Sequence, residues 1–326
     1  MARTALARTA LPVEPAHPEA TAFAADVIAG LTAAPKRIPP KYFYDVAGSE
    51  LFERITALPE YYPTRCEFGI LRDHAADIAK LIPEGAALIE FGSGASVKTR
   101  IVLDAAKKLA AYVPVDISGD FLERQAAALR KEYPGVAMLP VAADFAKPFE
   151  LPAATKGMSR VGFFPGSTIG NFEPHEACAF MRQVCKTLGP GATFIVGVDL
   201  VKDQRVLQKA YNDKQGVTAK FNLNLLTRIN RELGGNFNVA AFEHHAFYNR
   251  EKSRIEMHLA SMKRQKARLC GETIDFRAGE TIHTENSYKY SVESFGAMAR
   301  GSGWTTVKVW TDRDKCFSVH ALRRTD

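Results

Sequence analysis

The chain has 326 residues, 46% of them hydrophobic and 24% charged, with a formal net charge of +7. Its longest apolar runs fall short of the ~20 residues that a bilayer-spanning helix needs, which excludes a membrane-spanning reading. The five cysteines (Cys66, Cys178, Cys185, Cys270 and Cys316) are odd in number and form no CxxC pair. That pattern excludes a disulfide framework or a zinc site and fits a reduced, cytoplasmic chain.

Residues 1–20 are rich in Ala, Thr and Pro and lack a compact apolar h-region, so they predict a disordered tail rather than a secretory signal. Residues 21–66 read as helical and aromatic-rich. Four buried strands follow, each ending in turn or helix signals: Ala86–Phe91, Ala111–Val115, Ala137–Val141 and Arg160–Phe164. Helical stretches such as Lys98–Leu109 and Gly119–Tyr133 lie between them. This alternation predicts a doubly wound α/β sheet. After Gly189-Pro190-Gly191 closes a helix, Ala192–Val198 makes a fifth strand. Trp304–Trp310 and Cys316–Leu322 make an antiparallel hairpin around Thr311–Lys315. A mostly parallel Rossmann-like sheet finished by such a hairpin is the habit of class I methyltransferases. The stretch 204–288 interrupts the sheet. Together with 21–66 it is expected to form a second, substrate-binding lobe, leaving 67–203 and 289–326 as the cofactor-binding domain.

Three strand ends carry the cofactor expectation. Glu90-Phe91-Gly92-Ser93-Gly94 turns from strand to helix with glycines that let a ligand approach the backbone. A dinucleotide site would want a third glycine where Val97 stands, so a cofactor without pyrophosphate fits better. Asp116 closes the next strand, where a carboxylate can accept ribose hydroxyls. Asp144 and Phe145 close the third, where an acid can take an adenine amino group and a ring can pack on the base. The three together point to S-adenosylmethionine. The plainer alternative makes both acids helix N-caps. Lys98, in the first turn of the following helix, could pair with the methionyl carboxylate or be a solvated lysine.

The loop Pro165–Phe172 follows the fourth strand and is expected to face the transferred methyl. Asn171 can accept a hydrogen bond from an amine through its carbonyl oxygen, or can cap the helix that begins near Pro174. The residues Lys41–Asp45, Gly48–Phe52, Leu58–Arg65, Phe164–Phe172 and Ile282–Tyr290 resemble the histidine Nα-methyltransferases of ergothioneine biosynthesis, and the resemblance runs from about Pro35 to the C-terminus. It implies S-adenosylmethionine as methyl donor, with Tyr44, Gly92, Lys98, Asp116, Asp144 and Phe145 as cofactor contacts. Tyr44 would lie close to the reacting centre. It implies Tyr61, Asn171 and Tyr211 as the grip on the amino acid's amino and carboxylate groups, Gly166 and Met257 as pocket wall, and Glu285 and Ser287 as readers of the imidazole. Tyr44 and Asn171 would be the catalytic pair, and three successive transfers would give a trimethylated product.

One departure is Asn286, where many members of that family have an apolar residue. On an extended segment it alternates with Glu285 and Ser287 and should point away from the pocket. Tyr44, Phe52 and Tyr61 are candidates for an aromatic lining that suits an increasingly cationic nitrogen. His244, His245, His258 and His283 lack convincing ligand spacing, so no metal is expected. The basic residues are spread along the chain, with one modest cluster at Lys263, Arg264, Lys266 and Arg268 that reads as a solvated face. A monomer acting on a small amino acid, with no nucleic-acid or membrane partner, is expected. A different amino-acid acceptor, a histidine-derived thiol, a nucleic-acid methyltransferase and a non-catalytic binding module remain as alternatives.

Overall fold

The computed structural model describes residues 18–94, 97–117 and 119–324. Of the expected tail, residues 1–17 lie outside the described residues, and Pro18 opens the first helix. Helix α1 (Pro18–Thr32) leads to strand β1 (Lys36–Arg37) and helices α2 (Val46–Thr56), α3 (Tyr62–Asp73) and α4 (Ala75–Ala79). Strand and helix then alternate through β2 (Ala87–Phe91), α5 (Val97–Ala105), β3 (Ala111–Asp116), α6 (Gly119–Glu132), β4 (Ala137–Met138), β5 (Val141–Ala142), β6 (Arg160–Phe164), α7 (Pro174–Leu188) and β7 (Thr193–Asp199). The insertion carries α8 (Gln204–Tyr211), α9 (Val217–Leu233), β8 (Phe242–Asn249), β9 (Arg254–Ser261), β10 (Gln265–Leu269), β11 (Glu272–Phe276) and β12 (Thr281–Tyr288). Helix α10 (Val292–Arg300) and strands β13 (Trp304–Thr311) and β14 (Phe317–Arg324) complete the described chain. Among the described residues no helix is long and apolar enough to cross a membrane.

The main sheet has eight strands in the order β13-β14-β7-β6-β2-β3-β4, with β5 also on β3. Strands β2 to β7 pair in parallel, and β14 returns antiparallel to β7 with β13 outside it. The chain is thus a class I Rossmann-like α/β methyltransferase fold with a C-terminal antiparallel hairpin. Alternate residues of β2 serve two cores on opposite faces of the sheet: Ala87, Ile89 and Phe91 on one, Leu88 on the other. On the first face α7 lays down Ala177, Phe180, Met181, Val184 and Leu188, one helical stripe of buried side chains. Trp304 of β13 is fully buried there, and its ring N–H donates to the Met181 carbonyl at 2.9 Å.

The strand expected over 137–141 is split into β4 and β5. Pro140 sits in the gap and can donate nothing to a ladder. Pro114 faces the same gap from β3: Tyr112 and Asp116, two residues to either side, present their carbonyls to Leu139 and Ala143 at 2.9 Å each. Two missing donors leave that stretch unpaired and free the chain to turn toward Asp144.

A second sheet, β1-β12-β9-β8, belongs to the insertion except for β1, which joins it from the N-terminal segment in parallel. Its core gathers Phe23, Val27, Leu31, Phe43 and Ile55 with Leu207, Phe221, Leu225, Ile255 and Leu259. Two stretches far apart in sequence therefore share one hydrophobic core. Asp45 fastens them from the rim. It caps α2 by accepting from Gly48 N at 2.7 Å, and it accepts from Asn224 and Arg231 of α9 at 2.8 and 2.5 Å.

Gly162 of β6 is packed so closely that an added Cβ would lie 2.7 Å from Phe194 and 2.8 Å from Leu188. Gly162→Ala should therefore lower unfolding stability by about 1–3 kcal/mol through overpacking, measurable by urea titration. A neutral result would mean that the core between β6 and α7 gives way freely.

Candidate active site

The site lies at the carboxyl ends of the parallel strands, where ligands of such sheets bind. Strand β2 ends at Gly92, whose φ of +73° favours glycine and whose N–H donates to Val115 O at 2.7 Å. A Cβ on Gly92 would meet the Phe145 ring at 3.2 Å, so the missing side chain lets Phe145 close on the turn. Asp116 ends the adjacent β3. Asp144 follows β5. Its carboxylate accepts from Ala146 N at 3.1 Å, closing a local turn, and lies 3.7 Å from Lys41 and 3.9 Å from Lys147. Lys41 comes from the 3-10 turn Pro40–Phe43, so the N-terminal segment reaches this edge of the site.

Glu67 of α3 was not anticipated. It is fully buried, accepts from the Lys98 ammonium, and accepts the Gly166 N–H at 2.9 and 2.8 Å. Gly166 holds φ +83° to aim that N–H. Lys98 is thus a fixed cation at the helix start rather than a solvated lysine. The available sequence signal was position: Glu67 shares a helical face with the buried Pro63 and Ile70. Glu90 is buried two residues before Gly92 and accepts from Thr99 Oγ1 at 2.6 Å and from Tyr112 OH; burial pushes its carboxyl up to about 7.

The loop after β6 forms a short 3-10 turn, Thr168–Asn171, pressed against β12: a Cβ on Gly170 would lie 2.8 Å from the Tyr288 carbonyl. Asn171 is not the helix cap. Glu173 occupies that place, with its N–H on Glu176 at 2.9 Å. Among the described residues the Asn171 side-chain amide has no hydrogen-bond partner.

Four further rings form an aromatic row. Ring centroids run Tyr44–Phe52 at 5.6 Å, Phe52–Tyr61 at 6.3 Å and Tyr61–Tyr211 at 6.2 Å, with Phe221 behind Tyr44 at 5.9 Å. Burial raises the Tyr44 hydroxyl well above its ordinary range, and Glu285, Tyr61, Asp116 and Tyr211 push the same way. Met257 is buried directly across the ladder from Glu285. A bulge at Thr284 precedes Glu285, and the one Thr284 hydroxyl proton has two acceptors in reach, Asn222 Oδ1 at 2.8 Å and Met257 O at 3.0 Å. Burial pushes Glu285 up to about 7, with Lys289 pulling it back.

Adjoining the row is a buried polar network. Asp199, at the end of β7, accepts from Tyr62 OH at 2.8 Å, Lys202 at 2.6 Å and Lys289 at 2.7 Å. Burial alone would raise this carboxyl; Lys289 and Lys202 outweigh it and hold it below the usual range. Lys289 also donates to Ser287 Oγ at 2.7 Å, and Tyr211 OH donates to the same oxygen at 2.7 Å.

Asn286 points the other way, as alternation requires. Its amide donates to Glu173 at 3.1 Å, which also accepts from Arg254 at 2.7 Å and from Tyr288 OH. On that far face His245, His258 and His283 align across three neighbouring strands. Glu256, His258 and His283 bring ligand atoms within 4.8 Å of one another. Sequence spacing hides this row because its members meet only across the ladder. Both His258 ring nitrogens are already bonded, to Thr281 at 3.2 Å and Glu256 at 3.1 Å, and Arg254 holds Glu256 at 2.7 Å. Burial, reinforced by His283, keeps His258 down at about 4. The cluster has its partners within the sheet.

The model of the S-adenosylmethionine-dependent, histidine-specific methyltransferases matches residues 23–324. The chain belongs to this family. It is 43% identical over 299 residues to the histidine N-alpha-methyltransferase of Mycobacterium tuberculosis, covering 90% of this chain and 92% of that one. It is 44% identical over 300 residues to the Mycolicibacterium smegmatis protein of the same name, with the same coverage. Ergothioneine biosynthesis protein 1 of Neurospora crassa is 32% identical over 301 residues, which are 89% of this chain but 33% of that longer protein. This histidine-specific methyltransferase uses S-adenosylmethionine, and its strand ends suit that molecule: an open glycine turn, a carboxylate at the neighbouring strand end, and a ring beside the turn.

A carboxyl whose pKa is higher folded than unfolded gives up stability as pH climbs from about 4.3 for a free glutamate toward about 7 for Glu285. Glu285→Gln should therefore stabilise the ligand-free methyltransferase more at pH 8 than at pH 5 in urea unfolding. An equal effect at both pH values would contradict the burial of Glu285 as a carboxyl under strain.

Proposed function

We propose that this methyltransferase transfers methyl groups from S-adenosylmethionine to the α-amino nitrogen of L-histidine. Three successive transfers give the trimethylated amino acid, on the way to ergothioneine. The observation that carries this reading is the pairing of Glu285 with Ser287 on one face of β12, with Ser287 bonded at 2.7 Å to Tyr211, whose ring lies 6.2 Å from Tyr61. A carboxylate and a hydroxyl two residues apart can read both nitrogens of an imidazole.

On this reading the cofactor contacts are Gly92, Lys98, Asp116, Asp144, Phe145 and Tyr44. Lys98, steadied by Glu67, presents its remaining protons to the methionyl carboxylate. Tyr61, Asn171 and Tyr211 hold the amino acid's amino and carboxylate groups, while Gly166 and Met257 wall the pocket. The sulfonium supplies the activated methyl, so the protein's work is alignment. The amine must arrive without its proton. The Asn171 carbonyl oxygen can accept from the amine's N–H and aim its lone pair at the methyl. Tyr44 stays protonated, because burial raises its hydroxyl, and serves as a donor rather than a base. The edges and faces of Tyr44, Phe52 and Tyr61 suit a nitrogen that gains charge and bulk with each transfer. We take the protein to work as a cytoplasmic monomer on a small amino acid, without nucleic acid or membrane, in keeping with its scattered free thiols.

Incubation with S-adenosylmethionine and histidine should yield a product three methyl groups heavier, read by mass spectrometry. Glu285→Ala should weaken histidine binding by about 1–3 kcal/mol while leaving S-adenosylmethionine affinity nearly intact. Calorimetry that finds histidine affinity unchanged would refute the assignment of Glu285.

A further inference from the structure

Lys289 follows β12 directly and its side chain is wholly buried. A lysine has three N–H protons and no acceptor. Here they have three oxygen partners: Asp199 at 2.7 Å, Ser287 Oγ at 2.7 Å and Tyr211 OH at 3.4 Å. Burying an ammonium costs several kcal/mol unless it is paired, and Asp199 already has Lys202 at 2.6 Å as a counterion. A second lysine is therefore more than the carboxylate needs.

Its effect falls on Ser287. A hydroxyl has two lone pairs and one proton. Tyr211 OH donates to Ser287 Oγ at 2.7 Å and Lys289 donates to it at 2.7 Å. Both lone pairs are then filled, and the proton is what Ser287 has left to offer a ligand. Two residues along the same face, Glu285 offers an acceptor. A ring placed between them meets one acceptor and one donor.

We infer that Lys289 is a positioning residue that makes Ser287 an obligate donor, so that the site takes the neutral imidazole of histidine in a single tautomer and rejects the imidazolium. This rests on the reading of Glu285 and Ser287 given above. An imidazolium would press its second N–H against an oxygen with no free lone pair, leaving a buried donor unpaired. The neutral ring satisfies both groups: its N–H goes to Glu285 and its bare nitrogen takes the Ser287 proton.

The test is nitrogen NMR of histidine labelled with 15N in the ring, bound to the full-length protein with S-adenosylhomocysteine at pH 6, where about three-quarters of the free ring is protonated. The expected result is one protonated and one bare nitrogen in a fixed tautomer. Two protonated nitrogens, or two tautomers in exchange, would overturn the inference. Lys289→Met should release the constraint: imidazolium or mixed tautomers appear, KM for histidine rises roughly tenfold with a smaller fall in kcat, and S-adenosylmethionine affinity holds within about twofold. A fixed neutral tautomer persisting in Lys289→Met would count against the proposal. Should that variant fail to fold, Ser287→Ala, which leaves the Lys289–Asp199 pair in place, must lose the fixed tautomer for the inference to stand. If histidine is methylated but binds as the imidazolium, this inference alone fails. If histidine is neither bound nor methylated, the functional reading fails and takes this inference with it.

Discussion

The arrangement turns on one buried carboxylate. Asp199 stands at the end of β7, in the middle of the main sheet, and is reached by Tyr62 from the N-terminal helices, by Lys202 just before the insertion and by Lys289 just after it. Three segments distant in sequence thus converge on a single charge. Its backbone N–H also donates to Ser167 Oγ at 2.9 Å, in the loop that carries Asn171. A lone buried charge would be prohibitively costly; a shared one makes the position of each partner depend on the others. This end of the site is thus tied together by an ion as well as by the apolar core it shares with the second sheet.

Strand β12 divides two kinds of work between its faces. One face carries Glu285 and Ser287. The other carries Asn286, which with Arg254 and Tyr288 binds Glu173 at the start of α7. Glu285 and Ser287 are thereby fixed, from behind, to the helix that follows Asn171. Asn286 leaves the Glu285–Ser287 face untouched and adds a tie to that helix.

Much of the main sheet was legible in the sequence because buried parallel strands read as short apolar runs between helical stretches. The exception, 137–141, failed for a backbone reason, since two prolines facing one gap cannot close a ladder. The resemblance brought Tyr44, Tyr61, Tyr211, Glu285 and Ser287 forward as a set, and the fold does gather them. What escaped notice shares a single physical trait. Glu67, Lys41 and Phe221 act through partners far away in the chain, as Lys289 does in pairing with Asp199, and a local window sees only a helix glutamate, a surface lysine, a core ring and a strand-end lysine. The histidine row escaped for the same reason, because register across strands is not written as spacing along one.

The shared core of the second lobe also bears on how the chain is made. Strand β1 pairs with β12, and Lys36 bonds to Glu280 across a sequence separation of 244 residues. At the pace of ribosomal synthesis that separation corresponds to on the order of 10–50 s. For that interval the first helices must leave the ribosome with Phe23, Val27, Leu31 and Phe43 lacking the side chains they will finally cover. The parallel strands of the Rossmann-like sheet can begin to collapse in the meantime, so the second lobe is begun before them and closed after them, with only α10 and the main sheet's β13 and β14 still to come.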